Sequence, residues 1–420
     1  MNSPRTLAIV RETFMDKIKL LHTCEYFLYM TRLGIRENLT EEDKLPEKPE
    51  DVEWKALFRL SELHSLAAVT FRALQTSGLR PDEETFAAWK KAAEICVLAD
   101  TQQLFAWEEL KDLCAEKGFR FLPLKGLRLK YLYPETSLRL MGDLDILYEK
   151  NRFPELKKAM EELGYTFQKS SLGGNHQVFE RAPVTNVEMH RDLLPEVSPF
   201  VKYYINAWER ALPTDEKGIF RFSAEDEYIF MLIHANKHFT GAGSGVRTVA
   251  DFYLFAERYG KELNRVYIAE ELKKAGALAA EKGEDCAVLF SFEEKMHDLQ
   301  NRWFRNETRL NESDLEIFVN GVYGHVENVW EKKSRKQGKG KYLFSRLFPS
   351  LSVMRTGYPI LAKLPVLLPF CWIARMFRGI FRRRKQIVRE FRYVTDRQKK
   401  SHAGSVRQEP KPEQKDEKRI

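Results

Sequence analysis

Apolar residues recur along this chain with two different periods, and the change from one to the other divides it. In the first part the period is helical. Trp54, Leu57, Phe58 and Leu60 fall at near-helical spacing, and His64 and Leu66 extend the stripe. Pro81-Asp82-Glu83-Glu84 carries the acids of a helix start, so a long helix is predicted from there to Glu116, stopped at Lys117-Gly118. The runs then shorten. Phe119 to Leu124 reads as a strand, with Pro123 marking an edge or a strand end. Lys125-Gly126 breaks it, Leu127 to Tyr133 reads as a short helix stopped near Pro134, and Glu135 to Gly142 as a loop. Asp143 to Tyr148 is a second predicted strand, and Pro154 to Leu163 a helix closed by Gly164. Strands follow at Gln177–Arg181 and Asn186–His190, with Ala182-Pro183 between them. From Ser198 to Trp330 the helical period returns. Tyr228, Met231, Leu232 and Ala235 share one stripe of a helix over Glu225–Phe239, Gly241 to Gly245 interrupts, and Val246–Tyr259 is a further helix. The expected fold is α+β: a small mixed β-sheet core over 118–195, flanked by an N-terminal helical region (1–117) and a C-terminal helical domain (196–330).

Beyond residue 330 the pattern weakens. A basic, glycine-containing linker (331–340) leads into an apolar run, Tyr358 to Ile373, which contains Pro359, Pro365, Pro369 and Lys363. At barely the spanning length, with those interruptions, it argues against a transmembrane helix. We read 331–394 as a basic and apolar amphipathic extension and 395–420 as a disordered polar tail. Charge sharpens this division. The net +8 belongs to the end of the chain: residues 374–420 hold sixteen Lys/Arg against six Asp/Glu, and the remainder is slightly acidic. Arg382 to Lys385, set among Phe377, Ile380, Phe381, Phe391 and Tyr393, reads as a segment for an anionic membrane surface. A solvated helix at a domain edge is an equal reading, and nucleic-acid phosphate a lesser one. Five dispersed cysteines without ligand spacing fit a reducing compartment. The first residues lack the long apolar run of a signal peptide, so the expected location is the cytoplasm, at the inner face of the membrane if the tail binds it.

The candidate chemistry lies in the strands. In Gly142-Asp143-Leu144-Asp145-Ile146-Leu147, strand alternation turns Asp143 and Asp145 to one face and the apolar residues to the other. Two adjacent carboxylates repel, and a divalent cation relieves that cost. Asp-X-Asp alone is common, and a solvated strand end explains it equally well. Val187-Glu188-Met189-His190 adds a third acid between apolar neighbours, which makes a set for two hard cations and a triphosphate. Lys125, Gly126 and Arg139 are candidate phosphate contacts. His190 and His176 could orient a carboxylate or touch substrate, or be structural. His234 and His238 lie on one helix face but lack an evident third metal ligand. With Lys237, Arg247 and Asp251 they are candidate substrate contacts.

Taken together, Leu122-Pro123-Leu124-Lys125-Gly126, Tyr133-Pro134, Arg139, Gly142 to Leu147, Leu163-Gly164-Tyr165, His176 and Val187 to His190 resemble the bacterial uncharacterised nucleotidyltransferase family, a branch of the polymerase-β-like nucleotidyltransferase superfamily. The resemblance covers roughly 50–255, from Trp54 and His64 through His234 to His238 and Arg247 to Asp251. It implies that Asp143 and Asp145 are paired metal ligands with Glu188 as the third acid. Lys125-Gly126 stands where most of the superfamily has Gly-Ser or Gly-Gly, as is characteristic of this branch. The implied activity is Mg²⁺-dependent transfer of a nucleoside monophosphate from an NTP to a hydroxyl on an unknown small-molecule, sugar or protein acceptor, releasing pyrophosphate. Two Mg²⁺ ions are expected, with Mn²⁺ as a substitute. The alternatives are a metal-dependent glycosyltransferase using Asp143-Leu144-Asp145, or a nucleotide-binding, membrane-associated protein without turnover.

Overall fold

The structure is a computed structural model that describes residues 17–40, 43–168, 174–182, 185–241, 243–305, 308–321, 339–351, 353–354, 358 and 360–376. The basic segment around 382–385 and the tail 395–420 lie outside the described residues, as does most of the 331–340 linker. The chain forms two compact units, Met1–His325 and Val326–Ile420.

The first unit opens with helices α1 (Lys17–Gly34), α2 (Trp54–Leu63), α3 (Ala67–Ser77) and α4 (Glu83–Lys117). The start of α4 is set locally: Asp82 accepts a hydrogen bond from the Thr85 N–H at 3.0 Å, and Glu83 and Glu84 stand at its positive end. Gly118, at φ +66°, ends it. At 35 residues α4 is about 52 Å long, enough to serve two cores. Trp89 and Cys96 pack with the helical core, whereas Trp107, Leu110, Leu113 and Cys114 pack under the sheet. No single apolar stripe therefore runs its whole length.

The sheet comprises β1 (Phe121–Pro123), β2 (Leu144–Tyr148), β3 (Thr166–Gln168), β4 (His176–Arg181) and β5 (Thr185–His190), in the order β1-β2-β5-β4-β3. Only β2 and β5 pair in parallel; the other neighbours are antiparallel. Leu144, Ile146, Val187 and Met189 are buried against α4 and helix α6 (Phe153–Glu162), so the alternating positions of β2 and β5 face the other way. Pro123 lies on an edge strand, as expected.

Three local expectations are corrected. Asp143 precedes β2, which begins at Leu144. The helix expected from Leu127 is a four-residue α5 (Gly126–Leu129) continued as a 3₁₀ turn, Lys130–Leu132, and is too short to offer phosphate a useful dipole. The edge strand β3 was not anticipated, since three residues with mostly exposed side chains leave no alternation to read. The same holds for a hairpin of two-residue strands, β6 (Leu212–Pro213) and β7 (Phe220–Arg221).

Helices α7 (Ala224–Thr240), α8 (Val246–Tyr259), α9 (Arg265–Ala280), α10 (Val288–Gln300) and α11 (Leu315–Asn320) complete the unit. The two helical regions, separate in sequence, form one core that runs from Cys24 and Phe27 to Trp303 and Phe318. His64 joins them. Its Nδ1 accepts from the Val246 N–H at 3.1 Å, and its Nε2 lies 3.1 Å from the Phe318 carbonyl oxygen. Burial pushes its pKa down to about 3, so the ring is neutral and carries one proton for the carbonyl.

The second unit contains α12 (Lys339–Leu347), α13 (Ile360–Lys363), a 3₁₀ turn at Pro365–Leu367 and a helical stretch over 368–376. Lys339 and Gly340, expected in the linker, begin α12. Met354, Leu361 and Cys371 form a small buried knot with Tyr358 and Trp372 against it. Among the described residues no helix is long and apolar enough to cross a membrane.

Candidate active site

A cleft of about 380 Å³ in the first unit is bounded on one side by the β2 and β5 ends and on the other by α7 and α8. Its walls include every residue singled out as a candidate for the reaction: Lys125, Gly126, Arg139, Asp143, Asp145, His176, Glu188, His190, His234, Lys237, His238, Arg247 and Asp251. They come from stretches more than a hundred residues apart, and tertiary packing brings them together.

The acids meet because β2 and β5 pair in parallel with Asp145 opposite Glu188. Asp145 is only 7% exposed, and Lys125 Nζ (3.1 Å) and His190 Nε2 (2.7 Å) both approach its Oδ1. Burial opposes its charge, but Lys125 and His190 outweigh that and hold its carboxyl far below the usual range. Asp143 forms no hydrogen bond or ion pair among the described residues. Burial, then repulsion from Asp145 and Glu188, pushes it up to about 7. Glu188 lies 3.6 Å from both His176 Nδ1 and His190 Nε2. Burial works to raise it, and His190 carries the balance below the ordinary value. His190 is buried too; burial lowers its pKa, but its hydrogen bond to Asp145 and the nearby Glu188 carboxylate raise it overall.

The backbone at Lys125 is strained, with φ +44° and ψ −111° in a residue that carries a side chain. The Lys125–Asp145 ion pair and the hydrogen bond from the Leu124 N–H to the Asp145 carbonyl (2.9 Å) hold it against β2. Gly126 is required by close approach: a Cβ there would lie 2.7 Å from Met141 Sδ and 2.8 Å from Arg139 NH1.

Several candidates have structural partners. Arg139 and Asp251 form a buried two-pronged pair, Nε to Oδ1 and NH2 to Oδ2, each 2.8 Å, and the Tyr133 hydroxyl donates to Asp251 at 2.9 Å. Sequence reading assigned Arg139 to phosphate and Asp251 to substrate; the fold spends this fork and carboxylate on each other, because neither charge can be buried alone. Arg247 donates to the Leu140 carbonyl at 2.6 Å, bracing the loop ahead of Asp143. His234 and His238 touch through their Nε2 atoms at 3.2 Å. Burial first, and then the cations Lys125 and Lys237, lower both, His238 to about 4, so the two rings are neutral. Asn175 was not anticipated. It places its amide 3.2 Å from His190 Nδ1 and donates to the Asp192 carbonyl at 2.7 Å, which orients the ring; an isolated Asn in a loop carries no sequence signal for that role.

Crowded carboxylates, with burial and mutual repulsion at Asp143 outweighing the pull of Lys125 and His190, make a donor set that suits a hard divalent cation. Among the described residues, however, the group whose ligand atoms all lie within 4.8 Å of one another is His176, Glu188 and His190, not the three acids. In this structure Lys125 and His190 occupy the Asp145 oxygen that a cation would share.

The solution structure of the antibiotic-resistance factor ANT(2'')-Ia is similar over 47% of this chain and 99% of its own, at 13% identity and a TM-score of 0.31, too loose a likeness to build on. No curated protein matches the chain. The family model for uncharacterised nucleotidyltransferases matches residues 50–282, more than half the chain, a span that includes every cleft residue named above. The chain therefore belongs to the uncharacterised nucleotidyltransferase family.

Proposed function

We propose that this protein transfers a nucleoside monophosphate from an NTP to an acceptor hydroxyl with divalent-cation assistance and releases pyrophosphate. The observation that carries the reading is the parallel β2–β5 register, with Asp145 opposite Glu188 and Asp143 beside them in a cleft that also holds Lys125. In the reaction the acceptor oxygen attacks the α-phosphorus, the bond from that phosphorus to the pyrophosphate oxygen breaks, and the acceptor proton leaves to solvent. Asp143, Asp145 and Glu188 are the groups that would hold Mg²⁺, or Mn²⁺ in its place, whose charge would activate the attacking oxygen and neutralise the triphosphate. Lys125 is suited to move from Asp145 to a phosphate oxygen once another cation occupies Asp145. His234, Lys237 and His238 line the opposite wall, where the base, sugar or acceptor would pack. Arg139 serves by positioning, through Asp251.

The test is incubation of the full chain with labelled NTPs, Mg²⁺ and cell extract. A labelled product, lost in Asp143→Ala/Asp145→Ala, supports the reading. NTP bound with Mg²⁺ but never turned over would favour a sensor. No NTP binding at all would remove the proposal.

A further inference from the structure

Two histidines in the cleft have no part in the reaction just described. His176, at the start of β4, and His190, at the end of β5, are directly paired across the sheet, and Glu188 lies on the same face. Glu188 Oε2 stands 3.6 Å from His176 Nδ1 and 3.6 Å from His190 Nε2. Ligands at tetrahedral corners about 2.0–2.1 Å from a zinc-like ion are about 3.3–3.4 Å apart. Two of the three edges are therefore within a few tenths of an ångström of that spacing, and one ligand atom from each residue lies within 4.8 Å of the other two. Adjacent strands fix the two backbones side by side, and side-chain rotation would close the remaining edge.

We propose that His176, Glu188 and His190 form a seat for a borderline divalent cation of the Zn²⁺ or Co²⁺ class, distinct in ligand chemistry from the Asp143/Asp145 pair beside it. Two imidazoles and one carboxylate favour such ions over Mg²⁺, which prefers oxygen and retains its waters. Three protein ligands leave a fourth position facing the cleft, the arrangement of a site that takes water or a substrate oxygen. Seating the ion requires a neutral His190 with its proton on Nδ1, any proton on Nε2 passing to solvent, and ends the contact of Nε2 with Asp145, which leaves that carboxylate to Lys125 or to a second cation. The cleft would then hold two cations of different hardness, with Glu188 between them. This deepens the nucleotidyltransferase reading of the same cleft and rests on it only for the role of Glu188; the ion itself can be tested without nucleotide.

The experiment is Co²⁺ titration of the metal-free full chain, followed by visible absorption, with far-UV circular dichroism to verify folding. The expected result is an intense low-symmetry ligand-field spectrum at one equivalent, competed by Zn²⁺ and not by millimolar Mg²⁺. His176→Gln should weaken Co²⁺ by roughly tenfold or more, and His176→Asp, which keeps a ligand, should restore part of that loss. Asp143→Asn should keep the spectrum. A spectrum insensitive to His176 but lost in Asp143→Asn would overturn the proposal and leave the nucleotide reading intact, as would a weak octahedral spectrum. A His176-dependent spectrum in a protein that binds no Mg²⁺–NTP would do the reverse.

Discussion

The Arg139–Asp251 pair gives the sharpest test of how this cleft is built. It joins the loop ahead of β2 to helix α8 across 112 residues, with both side chains under a tenth exposed. Replacing Arg139 by Met leaves Asp251 charged and buried, with Tyr133 as its remaining donor. Replacing Asp251 by Leu leaves the guanidinium without its carboxylate. Breaking one side of such a pair costs about 3–5 kcal/mol, whereas replacing both partners by apolar groups of similar volume is often close to neutral. With a urea m-value of roughly 3 kcal/mol/M, each single variant should lower the midpoint by ~1–1.7 M. The double variant Arg139→Met/Asp251→Leu should lie well above the sum, with a coupling energy of about 3 kcal/mol or more. The assay is equilibrium urea unfolding of the unliganded chain by tryptophan fluorescence and circular dichroism together, with m compared among variants. Midpoints within 0.3 M of the parent (about 1 kcal/mol at that m-value), or singles that simply add, would refute the reasoning and return Arg139 to the role of a phosphate ligand held only loosely by Asp251.

Other expectations follow from the same physics. His64 is held neutral in the fold near pKa 3 and has about 6.5 when unfolded, so the unfolded chain binds the extra proton between those values. Its contribution is intact above pH 6.5 and falls by about 1.4 kcal/mol per unit below it, ~2 kcal/mol by pH 5; the acid slope should be shallower in His64→Gln, by urea titration at each pH. Gly126→Ala should cost ~1–3 kcal/mol by overpacking against Met141 and Arg139, read as a lowered unfolding midpoint. In the second unit Phe344, Ile360, Leu364, Val366, Phe370 and Ile373 are exposed, and a surplus of basic residues follows them in sequence. The full chain should float with anionic vesicles and not with zwitterionic ones, and should be released by salt; equal flotation with both would point to apolar insertion alone, and none to a bland surface.

Much of this architecture is written locally. The change of apolar period marks where helices give way to the sheet, Asp82 and Gly118 mark the ends of α4, and the alternation in Leu144 to Leu147 and Val187 to His190 shows which side chains leave the core. These are properties of near neighbours, and a single chain displays them. The Asp145–Glu188 register is not of that kind: it arises because the chain passes through α6, β3 and β4 before β5 returns beside β2. Nor could sequence tell that Arg139 would be claimed by Asp251, that Lys125 would bend to reach Asp145, or that His176 would stand beside Glu188. A charged side chain has the same appearance in sequence whether it awaits a ligand or neutralises a neighbour. Which of these it does is decided by the partner that folding brings within about 3 Å, and by the cost of burying either charge alone.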